Sequence, residues 1–458
     1  MEDMKNGKRS SFSGKLGYVL AAAGASVGLG NIWRFPYLAA KYGGGIFLII
    51  YIVLALTFGY TMIVAETAIG RMTRKSPVGA FKSFGKKKWL SFGGWINAVI
   101  PVLIVPYYSV IGGWVIKYLV EYFRGNAKQL AEDGYFTDFI SNGVSTELCF
   151  MAFCAFTLII IFAGVQNGIE RVSKVMMPIL IVLSVIIAVY SVTRPGALAG
   201  VKYFLVPNVK NFSWMTVVSA MGQMFYSLSI AMGILITFGS YMKKDTAIED
   251  STRNVEVFDT GIAIMAGLMI IPAVFAFSGG DPNTLQAGPS LMFITIPKVF
   301  QNMGFGTVIG IVFFLLVLFA AVTSSIALTE SAVSTFEDEL GWGRKKATVL
   351  VGVIMLALGS LSSLGYGPLA GIKIIGMQFL DLFDFLTNSV MMPIAALLTS
   401  LLVSRVVGID KIEDEIIHGE SAFRRKKVFV VMIKYLCPVF AIIILLSSVA
   451  NALGWIKM

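Results

Sequence analysis

Apolar residues fall in eleven blocks near 15–40, 44–70, 91–124, 146–164, 168–192, 214–241, 256–279, 306–337, 346–365, 374–402 and 428–453. Each block holds about 20 or more residues, enough for a helix to cross a hydrocarbon core ~30 Å thick. Polar and charged residues gather between the blocks. The pattern predicts an all-α integral membrane protein, a single transmembrane unit over 1–458. The stretch 281–303 is too short and too interrupted to cross. It reads as a loop folded over one face, with short helices around Pro282, Pro289 and Pro297.

The first block breaks its own pattern. Within it run Gly24, Ala25, Ser26, Val27, Gly28, Leu29, Gly30, Asn31, Ile32, Trp33, Arg34, Phe35 and Pro36. Glycine and proline weaken a helix, and a charge at membrane depth is costly unless the protein uses it. Unwound backbone is tolerated there only where it lines a cavity or is buried in protein. A binding site in mid-membrane follows. The sixth block repeats the irregularity over Gly222–Gly233, where Gln223, Ser227 and Ser229 interrupt the apolar run. Two interrupted spans, five apart, are what an inverted repeat of five plus five spans predicts. The repeats would cover about 12–192 and 214–402, with an extra span at 428–453. Small and hydroxyl residues also serve close helix packing, but matching positions in the two halves favour a site.

Composition agrees: 57% of residues are hydrophobic and 14% charged, with mean hydropathy +0.80. With the N-terminus inside, about 25 Lys and Arg fall at inside ends and about 10 outside, the positive-inside distribution. The net charge of +11 thus reports topology and gives no support to a nucleic-acid partner. The expected place is the inner (plasma) membrane, with the C-terminus outside. The polar start runs straight into the first block, without the pattern of a cleavable leader. Cys149, Cys154 and Cys437 lie in apolar spans and read as core residues. His418 is the single histidine and lies in a charged connection, which excludes histidine catalysis and zinc chemistry. No Walker loop is present, so ATP does not drive the protein directly. An enzyme is not expected.

At this point the chain resembles the bacterial neurotransmitter:sodium symporters, eleven-span transporters of the LeuT fold, with spans 1 and 6 unwound at mid-membrane. The resemblance runs from Arg9 to the last span. It is strongest in Gly24–Pro36, Lys41–Tyr51 (KYGGGIFLIIY), Glu66–Arg71, Gly222–Gly233, Phe319–Leu340 (FAAVTSSIALTESAVSTFEDEL) and Leu380–Phe385.

The resemblance implies two sodium ions. A first site would use the Ser26 carbonyl, Asn31, Ser227 and Asp259, completed by the carboxylate of the bound amino acid. Contact between ion and substrate makes each raise the other's affinity. A second would use the Gly24 and Val27 carbonyls with Ala320, Thr323 and Ser324. The alternative for these hydroxyls is bonding back to their own helix. Relatives that require chloride place asparagine at the position of Asp259 and serine one turn later, where this chain has Ala263. An ionised Asp259 would supply that negative charge internally, so chloride-independent transport is expected. The alternative is a solvated carboxylate at a span end.

The substrate would sit between the breaks. Its carboxylate would meet the half-helix N-terminus of the first span, where Ala25, Gly28 and Gly30 expose backbone, and the Tyr108 hydroxyl. Its amine would meet carbonyls of the sixth span near Ile230. Side-chain contacts would come from Ile104, Tyr226, Ser227, Ser229, Ala231, Met232, Ser324 and Leu328. That lining lacks a counter-charge and suits a neutral side chain. The Ala231 methyl, where relatives taking larger substrates often have glycine, would disfavour bulk by about 1–3 kcal/mol, so glycine there should widen the range. Gates would be Arg34 with Asp384 on the outside, above Tyr108 and Tyr226, and Arg9 with Asp338 inside, braced by Phe12, Tyr241 and Ser240. Glu66 would hold the broken first span.

The expected function is sodium-coupled import of a neutral, small-to-medium hydrophobic amino acid by alternating access, with the bilayer as the only other partner and a monomer sufficient. The alternatives are the same fold accepting large aromatic amino acids, and a proton-coupled permease, against which Asn31, Ser227 and Asp259 argue. A non-transporting receptor is disfavoured by gates at both faces.

Overall fold

A computed structural model describes residues 9–278, 288–452 and 455. Among the described residues, nine helices are long and apolar enough to cross a membrane alone: Gly45–Thr73, Lys88–Phe123, Gly143–Phe162, Val165–Val192, Ile248–Ser278, Gly306–Leu340, Arg344–Leu364, Phe379–Val407 and Lys426–Asn451. Lys15–Ser26 and Gly30–Lys41 form a further crossing, bent by 53° at its break. Trp214–Ser227 and Ile234–Tyr241, separated by non-helical residues, form another. In chain order these are spans 1 to 11, and the broken ones are spans 1 and 6, as the sequence predicts.

Proline alone does not break a span here. Pro101 and Pro106 lie inside span 3, Pro178 inside span 5 and Pro272 inside span 7, all continuous helices. Neighbouring helices can satisfy the carbonyls that a buried proline frees. The breaks come where glycines cluster with polar side chains that bond the freed backbone.

Burial sorts the spans into inside and outside. The apolar windows of spans 3 and 8 are 78% and 72% buried, whereas that of span 11 is 33% buried and lies at the periphery. Spans 3 and 8 thus form a central wall against which the broken spans rest. Gly24 of span 1 comes so close to span 8 that a Cβ there would lie 3.1 Å from Thr323 Cβ.

Span 7 starts at Ile248, a full two turns before its apolar block. Its polar first turn is capped by Glu420, which accepts the Glu249 N–H at 2.5 Å, so hydropathy cannot see it. Span 10 starts at Phe379, after a tight turn pairing Ile374 with Met377. Within the 281–303 stretch, the described Leu291–Gln301 is a short apolar helix. Its Phe293 stacks on Phe136 at 5.0 Å and accepts the Tyr118 hydroxyl on its carbonyl at 2.8 Å. The short helix expected around Pro282 lies outside the described residues, as does residue 453.

Candidate functional site

The two breaks lie side by side and hold each other open. Helix 1 stops at Ser26 because Val27 is extended (φ −73°, ψ 93°), and the chain re-enters a helix at Gly30. Asn31 closes the gap by accepting the Gly28 N–H on its Oδ1 at 3.2 Å. In span 6, Ser229, Ala231 and Gly233 all take left-handed φ values of 52°, 58° and 70°. The Ser229 hydroxyl donates to the Ala25 carbonyl at 2.9 Å, and that of Ser26 to the Leu228 carbonyl at 3.4 Å.

A cavity opens between the breaks and span 3. Its lining includes Ala25, Ser26, Gly28, Gly30, Ile104, Tyr108, Tyr226, Ser229, Met232, Ser324 and Leu328, all expected from the sequence, together with Leu29 and Asn31. In this conformation its volume is about 30 Å³. Two glycines make it possible. A Cβ on Gly28 would lie 2.7 Å from Ser324 Oγ and 3.1 Å from the Tyr108 hydroxyl, and one on Gly30 would lie 2.3 Å from the Tyr226 ring. The Tyr108 oxygen accepts the Leu29 N–H at 3.3 Å, at the edge of the cavity.

Ser227, Ile230 and Ala231 do not line this cavity. Ala231 is fully buried, and its N–H donates to Glu66 Oε1 at 2.7 Å. The size argument built on its methyl therefore does not carry: glycine at this position matters first for a left-handed backbone. Glu66 likewise holds the broken span 6, not span 1 as expected. The carboxylate reaches the backbone N–H of Ala231, which holds a left-handed φ of 58°.

Beside the cavity, Asp259 is wholly buried. It accepts Asn31 Nδ2 at 2.8 Å, Ser227 Oγ at 2.9 Å and the Tyr51 hydroxyl at 2.9 Å. That burial rules out the solvated-charge alternative, and no Lys or Arg pairs with it among the described residues. A buried carboxylate without a counter-cation is a strong electrostatic demand for one. Ala263, one turn on, is buried and can ligate nothing. Tyr51 belongs to this cluster and was not singled out, although it closes the KYGGGIFLIIY motif.

A second group of oxygens gathers where span 1 unwinds against span 8. Ser324 Oγ lies 3.2 Å from the Gly24 carbonyl, 3.2 Å from that of Ala25 and 3.3 Å from that of Val27. Thr323 Oγ1 lies 3.2 Å from the Ala320 carbonyl and bonds back to Phe319 at 3.0 Å. The donor set is hard oxygen throughout, mostly neutral, which suits a monovalent hard cation over a transition metal. Freed carbonyls of this kind are where broken-helix transporters coordinate sodium.

Below the cavity, the face bearing the N-terminus is shut. Arg9 pairs with Asp338 and donates to Ser334 at 2.7 Å and Ser240 at 3.1 Å, with its guanidinium 5.0 Å from the Tyr241 ring centre. Phe12 is buried edge-on against Phe238 and Tyr241. The sequence reading missed the next layer. The Tyr241 hydroxyl donates to Glu330 at 2.7 Å, and Arg344 grips that carboxylate at 2.5 Å and 3.0 Å. Asp338 also accepts the Ser76 N–H at 2.6 Å.

On the opposite face the expected Arg34–Asp384 pair is not in contact. Arg34 lies over the Tyr226 ring, 5.2 Å from its centre. Asp384 is held by Asn388 at 2.6 Å and the Tyr107 hydroxyl at 3.3 Å. Each charge has another partner, so the ion pair is unmade in this conformation. Gln223, which the sequence marks only as a polar interruption of the sixth span, donates to the Gly30 carbonyl at 3.0 Å.

Comparison with known proteins places this geometry in context. The model of the sodium:neurotransmitter symporter family matches residues 9–132 and 120–455. YhdH, an uncharacterised sodium-dependent transporter of Bacillus subtilis, is 34% identical over 97% of this chain and 99% of its own length. The human sodium- and chloride-dependent GABA transporter 2 is 26% identical over 89% of this chain and 75% of its own. The crystal structure of MhsT in complex with L-phenylalanine superposes with a TM-score of 0.86 at 34% identity, covering 96% of this chain and 100% of that one.

Proposed function

The chain belongs to the sodium:neurotransmitter symporter family, and from that premise we propose that it imports a neutral, hydrophobic amino acid with two sodium ions and without chloride. The observation that carries the reading is the unpaired, fully buried Asp259, ringed by Asn31, Ser227 and Tyr51 beside a cavity of amino-acid type. A sodium ion there neutralises the carboxylate. Chloride is unnecessary because the fixed charge is already present.

Each residue then has a role. Asn31, Ser227 and Asp259, with the Ser26 carbonyl and the substrate carboxylate, hold the first ion. The Gly24, Val27 and Ala320 carbonyls with Thr323 and Ser324 hold the second. The substrate carboxylate takes the Tyr108 proton and the span 1 half-helix N-terminus, and its amine takes span 6 carbonyls. Its side chain rests on Ile104, Met232 and Leu328.

Two readings of substrate size rest on different observations. The narrow cavity favours small-to-medium aliphatic side chains. The similarity to MhsT, crystallised with L-phenylalanine, favours aromatic ones, which would enter as Met232 yields.

Alternating access follows from the gates: the closed Arg9–Asp338 layer must open as Arg34 and Asp384 close. We take the N-terminal face as cytoplasmic from the distribution of Lys and Arg. Two sodium ions with a zwitterion move two charges, about 4.6 kcal/mol per 100 mV. A tenfold sodium gradient adds about 1.4 kcal/mol per ion. The test is uptake into vesicles: an inward sodium gradient should drive accumulation that vanishes when sodium is equal on both sides and no potential is applied. Accumulation driven by a proton gradient alone would overturn the reading.

A further inference from the structure

The connection between spans 2 and 3 carries Lys82, Lys86, Lys87 and Lys88, all exposed. Lys82 is engaged, pairing with Glu339 at 2.7 Å. Lys86, Lys87 and Lys88 have no side-chain partner among the described residues. Three adjacent unpaired ammonium groups repel one another, so the arrangement calls for an anion from outside.

The neighbouring helix face says which anion. Lys88, Phe92 and Trp95 follow spacings of four and three and so share one stripe of span 3. Phe92 is 56% exposed and Trp95 41% exposed. The Lys82 ammonium lies over the Trp95 ring, 5.8 Å from its centre. A stripe that passes from lysine to two outward aromatic side chains, at the start of a spanning helix, matches the depth profile of a headgroup layer above acyl chains. Soluble phosphate has no use for the aromatic half.

The patch is also built into the gate. Helix Pro77–Lys82 lies tight on span 3, where a Cβ on Gly93 would meet the Phe81 ring at 2.7 Å and one on Gly94 would meet Val78 Cα at 2.8 Å. The same connection donates the Ser76 N–H to the gate residue Asp338. Pro77 abuts the unwound span 6, since a Cβ on Gly233 would lie 2.7 Å from Pro77 Cγ.

We propose that Lys86, Lys87, Lys88, Phe92 and Trp95 form a docking surface for anionic phospholipids of the adjoining leaflet, and that headgroup occupancy holds the 76–88 connection on the closed Arg9–Asp338 gate. The leaflet is cytoplasmic if the orientation proposed above holds, but the surface itself does not depend on that orientation. Each lysine contributes about fivefold in affinity for an anionic surface.

Native mass spectrometry of the purified protein, loaded with equal phosphatidylglycerol and phosphatidylcholine, reads the first half. The wild type should retain phosphatidylglycerol preferentially. The combined Lys86→Gln, Lys87→Gln, Lys88→Gln variant should lose that preference by roughly a hundredfold. The corresponding Lys→Arg variant should keep it. Equal retention by the Gln variant, or displacement by inorganic phosphate, would overturn the surface.

Labelling of Ser240→Cys in vesicles reads the second half. Adding phosphatidylglycerol to phosphatidylcholine should slow labelling in the parent and leave the Gln variant unmoved. Equal rates in both lipids would overturn the coupling to the gate. Sodium-dependent amino-acid binding, measured on the same preparations, separates failure of this proposal from failure of the proposed function.

Discussion

Asn31 Nδ2 stands 2.8 Å from Asp259 Oδ1, joining the broken first span to the only carboxylate among the residues assigned to the ion sites. Asn31 also lines the cavity, so any ion held by Asp259 is one residue from the substrate. On the proposed function, coupling of ion and amino acid would be a local matter of shared oxygens.

Replacing chloride by gluconate should leave uptake unchanged, because Asp259 supplies the fixed negative charge. Asp259→Asn should weaken the effect of sodium on amino-acid affinity, by something on the order of 5–150-fold, the usual range of coupling between sites. Titrating amino-acid binding at several sodium concentrations measures this. An unaltered sodium dependence in the variant would remove Asp259 from the first ion site.

Gly30→Ala should abolish binding of any amino acid, since the added methyl would lie 2.3 Å from the Tyr226 ring. Equilibrium binding with radiolabelled ligand reads the loss. Wild-type affinity would show that the ring moves aside and that the cavity is wider than it stands here.

Tyr108→Phe removes the hydroxyl proposed to donate to the substrate carboxylate. A hydrogen bond to a charged group is worth about 1.5–3 kcal/mol, so the Kd for the amino acid should rise roughly ten- to a hundredfold. The melting temperature should change little, because the Leu29 N–H loses only a long acceptor at 3.3 Å. A Kd unchanged within twofold would place the carboxylate elsewhere.

Arg9→Ala should open the N-terminal face. Ser240 is fully buried and bonded to Arg9, so a Ser240→Cys thiol should react slowly in the parent and at least tenfold faster without the guanidinium. Equal labelling rates would show that Phe12, Tyr241 and the Glu330–Arg344 pair keep the face shut by themselves.

Ala231→Gly separates backbone from pocket. Ala231 holds φ 58° and does not line the cavity. Glycine relieves a conformation that costs other residues about 1–2 kcal/mol, so the protein should melt at a higher temperature with its substrate preference intact. A broadened substrate range would restore the methyl as a size filter.

The sequence revealed what depends on local pattern. The two breaks were legible because glycine, amide and hydroxyl residues are conspicuous within apolar blocks. Asp259 stood out as a carboxylate where chloride-dependent relatives have an amide. What stayed hidden depends on who meets whom across the fold. Tyr51 lies 208 residues from Asp259 along the chain, and its hydroxyl looks like any core tyrosine until the spans are packed. Glu66 was legible as a holder of a broken span, but a carboxylate in span 2 is within reach of either break, and only the left-handed turn at Ala231 decides which. Arg34 and Asp384 show the remaining limit. Their charges are plain in the sequence, yet pairing them is a property of one conformation and not of the composition.

The measurement that bears most directly on the account is binding of the twenty amino acids to purified protein in sodium and in potassium. Binding of one or a few neutral hydrophobic amino acids in sodium, and not in potassium, is the predicted result, and their sizes decide between the aliphatic and aromatic readings. Equal binding in both salts would contradict sodium coupling through Asp259, Asn31 and Ser227.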